Sequence, residues 1–348
     1  MKKILLSVMT IALVATAGIA ATRAYFTDTE SSVGNTFTAG TIDISVDDMN
    51  PWNKTFTMAD MKPSYVDYIN FEIENTGSDP NPVNVWKNIH VTNESTGAVS
   101  EPECSDQNGT WNNDVCTWGG VTEDNNDLSA AIWYDLYVEV YNANNDKVWW
   151  QTIYVDADHN TIDSVYGVNG DGKVYLGMIP ANGKMKVKQS YHLATDTGNW
   201  AQGDQMTFDI TLTAEQLQGT AKLENKTAAP DYKLVLGDGI DGTLTYAVKN
   251  PTFKYTFAGK APVGGVSYTL LAAKDPWPQV GSTVLGTTTS VGDGTVNFSG
   301  DVELNGDLKD SKVWLVLSSD WNGTQMIGWH QTSYLLETGL IWYEDTDL

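Results

Sequence analysis

The strongest constraint on this chain is its alternation. Ile69, Phe71 and Ile73 alternate with Asn70, Glu72 and Glu74, and Ile132, Tyr134, Leu136, Val138 and Val140 with Trp133, Asp135, Tyr137 and Glu139. Met185, Val187 and Gln189 alternate with Lys184, Lys186 and Lys188, and Met206, Phe208, Ile210 and Leu212 with Thr207, Asp209 and Thr211. Val83, Val85, Ile89 and Val91 extend the scheme. Successive side chains of a strand point to opposite faces, so such runs build antiparallel sheets with one buried face. Gly, Pro, Asn or Asp bounds each run. The only helix-like pieces are short: Ala59–Lys62, Thr122–Leu128 and Ala214–Gln218. The expected class is all-β.

A chain of 348 residues exceeds one ordinary sandwich. The stretch from Gly219 to Pro230 is polar and linker-like, and strand patterning restarts after it at Leu244–Val248, Phe253–Phe257, Val266–Leu271, Val296–Phe298, Val313–Leu317 and Leu340–Tyr343. Three segments are expected: a leader over 1–24, a first β domain over 25–219, and a smaller β-sandwich over 220–348.

Lys2 and Lys3 precede an apolar stretch, Ile4 to Ala21, and then small residues, the layout of a secretory signal. Cleavage is expected after Ala24, with Ala20 or Ala21 as alternatives; the stretch is also about long enough to be retained as an anchor. The net charge is −24. Removing the leader takes away Lys2, Lys3 and Arg23 and no acid, leaving 17 basic against 44 acidic side chains, a charge of −27. Such a surface repels nucleic acid and anionic lipid headgroups, and any assembly of copies should be favoured by salt or calcium. Membrane contact is expected only during export. Cys104 and Cys116 lie in a polar loop and, in an oxidising space, are expected to form one local disulfide.

Chemistry is sparse. His90, His159, His192 and His330 form no His-Glu-x-x-His pair, no Gly-x-Ser-x-Gly elbow is present, and no carboxylate pair can be singled out among 44 acids. No cofactor is expected apart from calcium. Asp156, Asp158 and Asn160 have the one-three-five oxygen spacing that calcium takes, yet Thr161 stands where a loop glycine should be and Gly167 where a bidentate Glu should be, so an Asp-rich turn is the plainer reading. Thirteen tryptophans would stack on sugars if exposed, or fill cores if buried. Sequons at Asn53, Asn93, Asn108, Asn225, Asn297 and Asn322 are candidate glycosylation sites.

Behind the leader the chain reads Tyr25-Phe26-Thr27-Asp28-Thr29-Glu30, then Asn35-Thr36-Phe37, Ala39-Gly40-Thr41 and Ile42-Asp43-Ile44. Met61-Lys62-Pro63 leads into Ile69–Ser78, and Gln202-Gly203-Asp204 into Met206–Thr213. In these residues the chain resembles the TasA/camelysin family of secreted fibre-forming proteins, over residues 1–219. The resemblance implies a jelly-roll sandwich, export, and assembly into extracellular filaments of biofilm matrix, where one subunit's N-terminal segment completes the next subunit's sheet. The Cys104–Cys116 insertion and the last third of the chain depart from that pattern; the last third resembles an accessory β domain of archaeal secreted proteins. Although camelysin carries a metalloprotease label, no enzyme activity is expected here.

A strand donor is physically reasonable. Tyr25–Phe37 would reach about 40 Å at ~3.3 Å per residue. Tyr25, Phe26, Val33 and Phe37 are the polymerisation-strand candidates, with Phe26, Val33 and Phe37 as anchors, and a head-to-tail donor propagates a homopolymer rather than closing a dimer. The expected function is a structural subunit of an extracellular filament at the cell surface. A monomeric adhesin or carbohydrate-binding protein, with matrix polysaccharide as partner, is the alternative. A secreted metalloprotease is the third.

Overall fold

The computed structural model describes residues 27–31, 42–52, 54–59, 65–77, 81–95, 99–118, 127–167, 170–201, 204–217, 219–274, 281–330 and 336–347. Strands dominate it. The first half holds β1 (Thr27–Ser31), β2 (Ile44–Val46), β3 (Thr55–Ala59), β4 (Val66–Tyr68), β5 (Phe71–Asn75), β6 (Val83–Ser95), β7 (Thr110–Asn112) and β8 (Val115–Thr117). It continues with β9 (Ile132–Tyr141), β10 (Lys147–Tyr154), β11 (Val174–Ile179), β12 (Lys184–Leu193) and β13 (Gln205–Gln216). One sheet runs β1-β13-β6-β11 with β3 also on β13; the other runs β10-β9-β12-β5-β2 with β4 on β12. Their apolar faces form one core. Val85, Ile89, Phe208, Ile210 and Leu212 come from the first sheet, and Ile73, Leu136, Val138, Met185 and Val187 from the second. The alternation read from the sequence is therefore the two-layer sandwich itself.

The second half holds β14 (Thr220–Glu224), β15 (Asp241–Tyr246), β16 (Lys249–Asn250), β17 (Phe253–Lys260), β18 (Ser267–Lys274), β19 (Thr283–Thr289), β20 (Thr295–Val302), β21 (Leu308–Leu317), β22 (Leu336–Glu337) and β23 (Ile341–Asp345). These ten strands are joined in one ladder system. They enclose their own core around Leu244, Phe253, Phe257, Leu270, Leu315 and Tyr343.

Three local expectations are corrected. Ala214–Gln218 is strand as far as Gln216, because Ala214 and Glu215 are laddered to Val85 and Asn84 of β6. The linker-like stretch after Gly219 contains β14, whose Leu223 is fully buried. A short helix absent from the reading, α1 (Glu101–Asp106), is closed by a capping box between Ser100 and Glu103. Its Cys104 forms the expected disulfide with Cys116 of β8. Gly109 is required beside it: a Cβ there would stand 2.5 Å from Cys116 Sγ.

The two halves meet along β10. The Leu234 amide donates to the Thr152 carbonyl, Gln151 Nε2 donates to the Tyr232 carbonyl at 3.1 Å, and Lys233 pairs with Asp158. A sheet edge left open is a template for unwanted pairing. Here the segment around Tyr232–Val235 covers that edge. Beside it, buried Glu337 is shared by Lys226 and Lys312, the latter at 3.3 Å, and Lys312 Nζ also lies 4.8 Å from the Trp314 ring and 6.0 Å from that of Trp149.

Candidate functional site

The feature with a use is the far edge of the first sheet. β6 runs along one edge of β13 from Gln205 to Gln216. The other edge is divided between two strands. β3 takes Gln205–Asp209, and β1 takes Thr211–Glu215, with Thr27 opposite Glu215, Thr29 opposite Thr213 and Ser31 opposite Thr211. Half of the exposed edge of a core strand is thus completed by the first strand of the chain. β1 ends the sheet on this side.

The composition of β1 sets how firmly it can hold. Thr27-Asp28-Thr29-Glu30-Ser31 has no apolar residue. Its ladder therefore rests on main-chain hydrogen bonds, each contributing a net of roughly 0.5–1.5 kcal/mol. A hydrophobic strand would add about 1.5–3 kcal/mol for each large side chain buried. The ten residues 32–41 connect β1 to the β2 side of the sandwich, and they, with Tyr25, Phe26, Val33, Phe37 and the cleavage candidate Ala24, lie outside the described residues. In the lone protomer β1 thus lies on its own chain's β13, whereas the sequence reading sent this segment to a neighbour. Among the described residues no other strand pairs with that part of the β13 edge.

The polar groups elsewhere are clamps. His192 Nε2 lies 2.7 Å from Asp135 Oδ2 and 3.1 Å from Ser190 Oγ, while Ser190 Oγ donates to the same Asp135 oxygen at 2.6 Å. The Ser190 proton goes to Asp135, so the imidazole does not activate the hydroxyl as a nucleophile. The trio pins β9 to β12. Asp156 Oδ2 stands 3.8 Å from His192 Nδ1, Asp158 is held by Lys233, and the Asn160 carbonyl accepts from the Tyr134 amide. Asp156 and Asp158 thus face different partners, and the contact of Asn160 is through its main chain.

A buried cation was missed by sequence reasoning. Lys87 occupies an inward position of β6 and is fully enclosed. Its Nζ donates to Tyr134 Oη at 2.6 Å and Tyr166 Oη at 2.9 Å, and Tyr134 Oη donates to Gln189 Oε1 at 2.7 Å. Burial holds the Lys87 amine well below the ordinary lysine range, and pushes the Tyr134 and Tyr191 hydroxyls well up. No carboxylate forms an ion pair with it among the described residues. The only sequence signal was a lysine at an alternation position between Val85 and Ile89.

Known proteins bear on this geometry at two ranges. Residues 1–103 match the model of the camelysin metallo-endopeptidase family. The camelysin match covers β1 to β6 and the segment before them, where the resemblance to secreted, fibre-forming TasA/camelysin proteins is concentrated, and it supports that resemblance at the level of the family. No curated protein matches the chain. Among solved structures, the VP2 subviral particle of infectious bursal disease virus matches at 10% identity and a TM-score of 0.23, over 56% of this chain and 33% of that one. The chain thus spans a third of that protein's length, and so distant a likeness carries no argument.

The camelysin label raises the question of a metal. Zinc enzymes use histidine, cysteine or carboxylate ligands around an open position. His159 is stacked on Trp133 with ring centroids 3.9 Å apart, His330 Nδ1 lies 2.7 Å from Asp320, and His192 is engaged as above. Among the described residues one group of three metal-ligating side chains converges, Glu303, Asp345 and Asp347. It has no histidine, and an all-carboxylate set suits hard cations rather than a catalytic zinc. Among the described residues no histidine-containing set of ligands converges as the metal of an endopeptidase would require.

The remaining candidates are placed as follows. None of the described tryptophans is exposed, and Trp52, Trp149 and Trp314 are buried. Of the sequons, Asn93, Asn108, Asn297 and Asn322 are exposed, Asn53 lies outside the described residues, and Asn225 is buried and donates to Asp238 at 2.9 Å. Among the described residues no helix is long and apolar enough to cross a membrane.

Proposed function

We propose that this chain is a structural subunit of an extracellular filament, exported by a leader cleaved after Ala24 and polymerised by exchange of β1. One observation carries the reading: a first strand of polar sequence completes half an edge of β13. Exchanging an identical element between copies preserves its contacts, so the slot filled by the chain's own β1 can equally take a neighbour's. The transfer is heterologous: each copy gives its strand to one neighbour and takes the other neighbour's strand into its slot, which propagates a fibre. Phe26, Val33 and Phe37 would anchor the donor, and the unit over 220–348, covering the β10 edge of the other sheet, would block addition there.

A structural role suits this molecule better than proteolysis, for whose metal no histidine-containing set of ligands converges among the described residues. The described tryptophans, buried or half-buried, speak against a sugar-binding surface built on exposed indoles. Deleting Tyr25–Asn35 from the mature chain tests the proposal by electron microscopy, with circular dichroism to show that the sandwich is retained. Filaments of the intact chain and none from a folded deletion variant are expected; filaments that survive the deletion contradict it.

A further inference from the structure

The outer face of the second sheet carries an ordered array of lysines. β12 turns Met185 and Val187 into the core, and Lys184, Lys186 and Lys188 outward at intervals of about 6.8 Å. Neighbouring strands complete the rows. Lys184 stands opposite Tyr141, which faces Lys147 of β10; Lys186 lies between Glu139 and Glu72; Lys188 stands opposite Tyr137. Two carboxylates hold the four cations. Glu139 takes Lys188 at 3.0 Å and Lys147 at 3.4 Å, and Glu72 takes Lys184 at 3.1 Å and Lys186 at 3.9 Å. Each carboxylate faces two ammonium groups, so each set keeps one positive charge. Glu139 also accepts from the Tyr137 and Tyr141 hydroxyls at 3.2 Å, and Lys188 and Lys186 lie 5.3 and 4.9 Å from those two rings. Desolvation pushes the Glu139 carboxyl up, but hydrogen bonds from Lys188 and Tyr137 and the charge of Lys147 outweigh it and hold the group below the usual glutamate range. The lysines are thus fixed in place before any partner arrives, which lowers the cost of ordering them on binding.

We propose that this face binds a linear acidic polysaccharide, a chain of carboxylate-bearing sugars laid along β12. Charge is the first argument. Without its leader the chain has 17 basic and 44 acidic side chains. This face holds four of the lysines and only Glu72, Glu74 and Glu139, leaving 13 basic against 41 acidic side chains elsewhere. An anion repelled by the rest of the surface meets cations here. Their side chains are open to it, with Lys147, Lys186 and Lys188 42–52% exposed. One row beyond Lys188, Ser190 stands opposite Tyr68 of β4, whose ring is 65% exposed. A sugar has an apolar face for such a ring and a carboxylate for the neighbouring lysine. No exposed indole is needed.

Size is the second argument. Four strands at ~4.8 Å and four rows at ~6.8 Å make an array of about 14 by 20 Å, roughly 300 Å². A stable contact between folded proteins takes about 800 Å² from each partner, so a second copy of this chain is poorly matched. Acids also border the array. Glu74 flanks Lys184, Asp47 accepts from the Glu72 amide at 3.0 Å, and Asp135 lies in the row beyond Lys188. A nucleic-acid duplex or a folded acidic protein would overlie these carboxylates, whereas a single slender polymer follows the lysines and passes between them. The array lies on the sheet opposite β1 and β13. Binding is therefore expected in monomers and filaments alike, and its failure would leave the strand-exchange reading untouched.

The test titrates alginate oligosaccharides into the full mature chain by calorimetry, with neutral dextran, polyglutamate and duplex DNA as comparisons. Alginate is expected to bind, more weakly as salt is raised, and dextran is not. Lys186→Gln/Lys188→Gln should weaken alginate binding about 3- to 30-fold, as the loss of two exposed ion pairs implies. Tyr68→Ala, at an exposed position that the fold does not need, should weaken it about 2- to 10-fold. Absence of alginate binding, or an affinity that neither variant changes, overturns the inference. Polyglutamate or DNA bound as tightly as alginate would also overturn it, since the face would then select charge alone. A lysine variant that binds alginate normally but associates less with its own copies would assign the face to a second copy instead.

Discussion

Glu337→Gln is expected to destabilise the protein by about 3–5 kcal/mol, the cost of breaking a buried ion pair from one side. Glu337 is 4% exposed and is shared by Lys226 and Lys312, themselves 9% and 2% exposed. Desolvation pushes its carboxyl up, but the two ammonium groups outweigh it and hold the group below the usual glutamate range. A carboxyl with a depressed folded value contributes stability that is present above the unfolded value, about 4.3, and is lost as pH falls through the folded value. The variant should therefore unfold at lower urea at pH 7 and lack that part of the wild-type acid transition. An unchanged urea midpoint would mean that the lysines are satisfied without the carboxylate. Because Lys312 also lies over Trp149 of β10, the loss should loosen the junction between the halves.

Lys87→Met is expected to act in the opposite direction, raising stability at neutral pH by about 1–4 kcal/mol, as when buried ionic groups give way to apolar ones of similar shape. Lys87 is enclosed by Tyr134 and Tyr166, whose ring centroids lie 4.8 Å from its Nζ. Those rings and hydroxyls favour the charged form, yet desolvation is the dominant influence and lowers the amine well below its ordinary range. Between that lowered value and about 10.4 the unfolded chain binds a proton that the folded chain does not. Wild-type stability should then rise with pH, by up to about 1.4 kcal/mol per unit, until the buried tyrosines reverse the slope above about pH 10. The Met variant should lose the rising slope in urea titrations below about pH 10. A destabilised variant that keeps the slope would show that the tyrosine cage, rather than the lysine's burial, governs this site.

Much of the fold was legible because burial on one face writes itself as alternation. β5, β9 and β12 stand where Ile73, Leu136 and Val187 placed them. Ala214-Glu215-Gln216 looked helical because those residues favour helices, yet the ladder to β6 overrode the preference. α1 could have been found from Ser100-Glu101-Pro102-Glu103, a capping-box pattern with proline inside the first turn. Lys87 could not, since period two says which face a residue occupies and not which tyrosines will meet it there. The first strand was legible as a strand. Its partner was not, because the sharing of one β13 edge between β3 and β1 joins Thr55–Ala59 and Thr27–Ser31 to residues some 150 to 190 positions away.

The most direct test of strand exchange mixes two single-cysteine chains. Thr29 and Thr213 stand opposite each other in the ladder, and Cys104 and Cys116 are already joined, so a thiol introduced at either position is the only free one among the described residues. Thr29→Cys chains and Thr213→Cys chains are assembled together, oxidised and run on a denaturing gel. Strand exchange predicts a covalent dimer with one chain of each kind, appearing as filaments grow. Filaments that form without that dimer, while the double variant Thr29→Cys/Thr213→Cys closes within one chain, would contradict it.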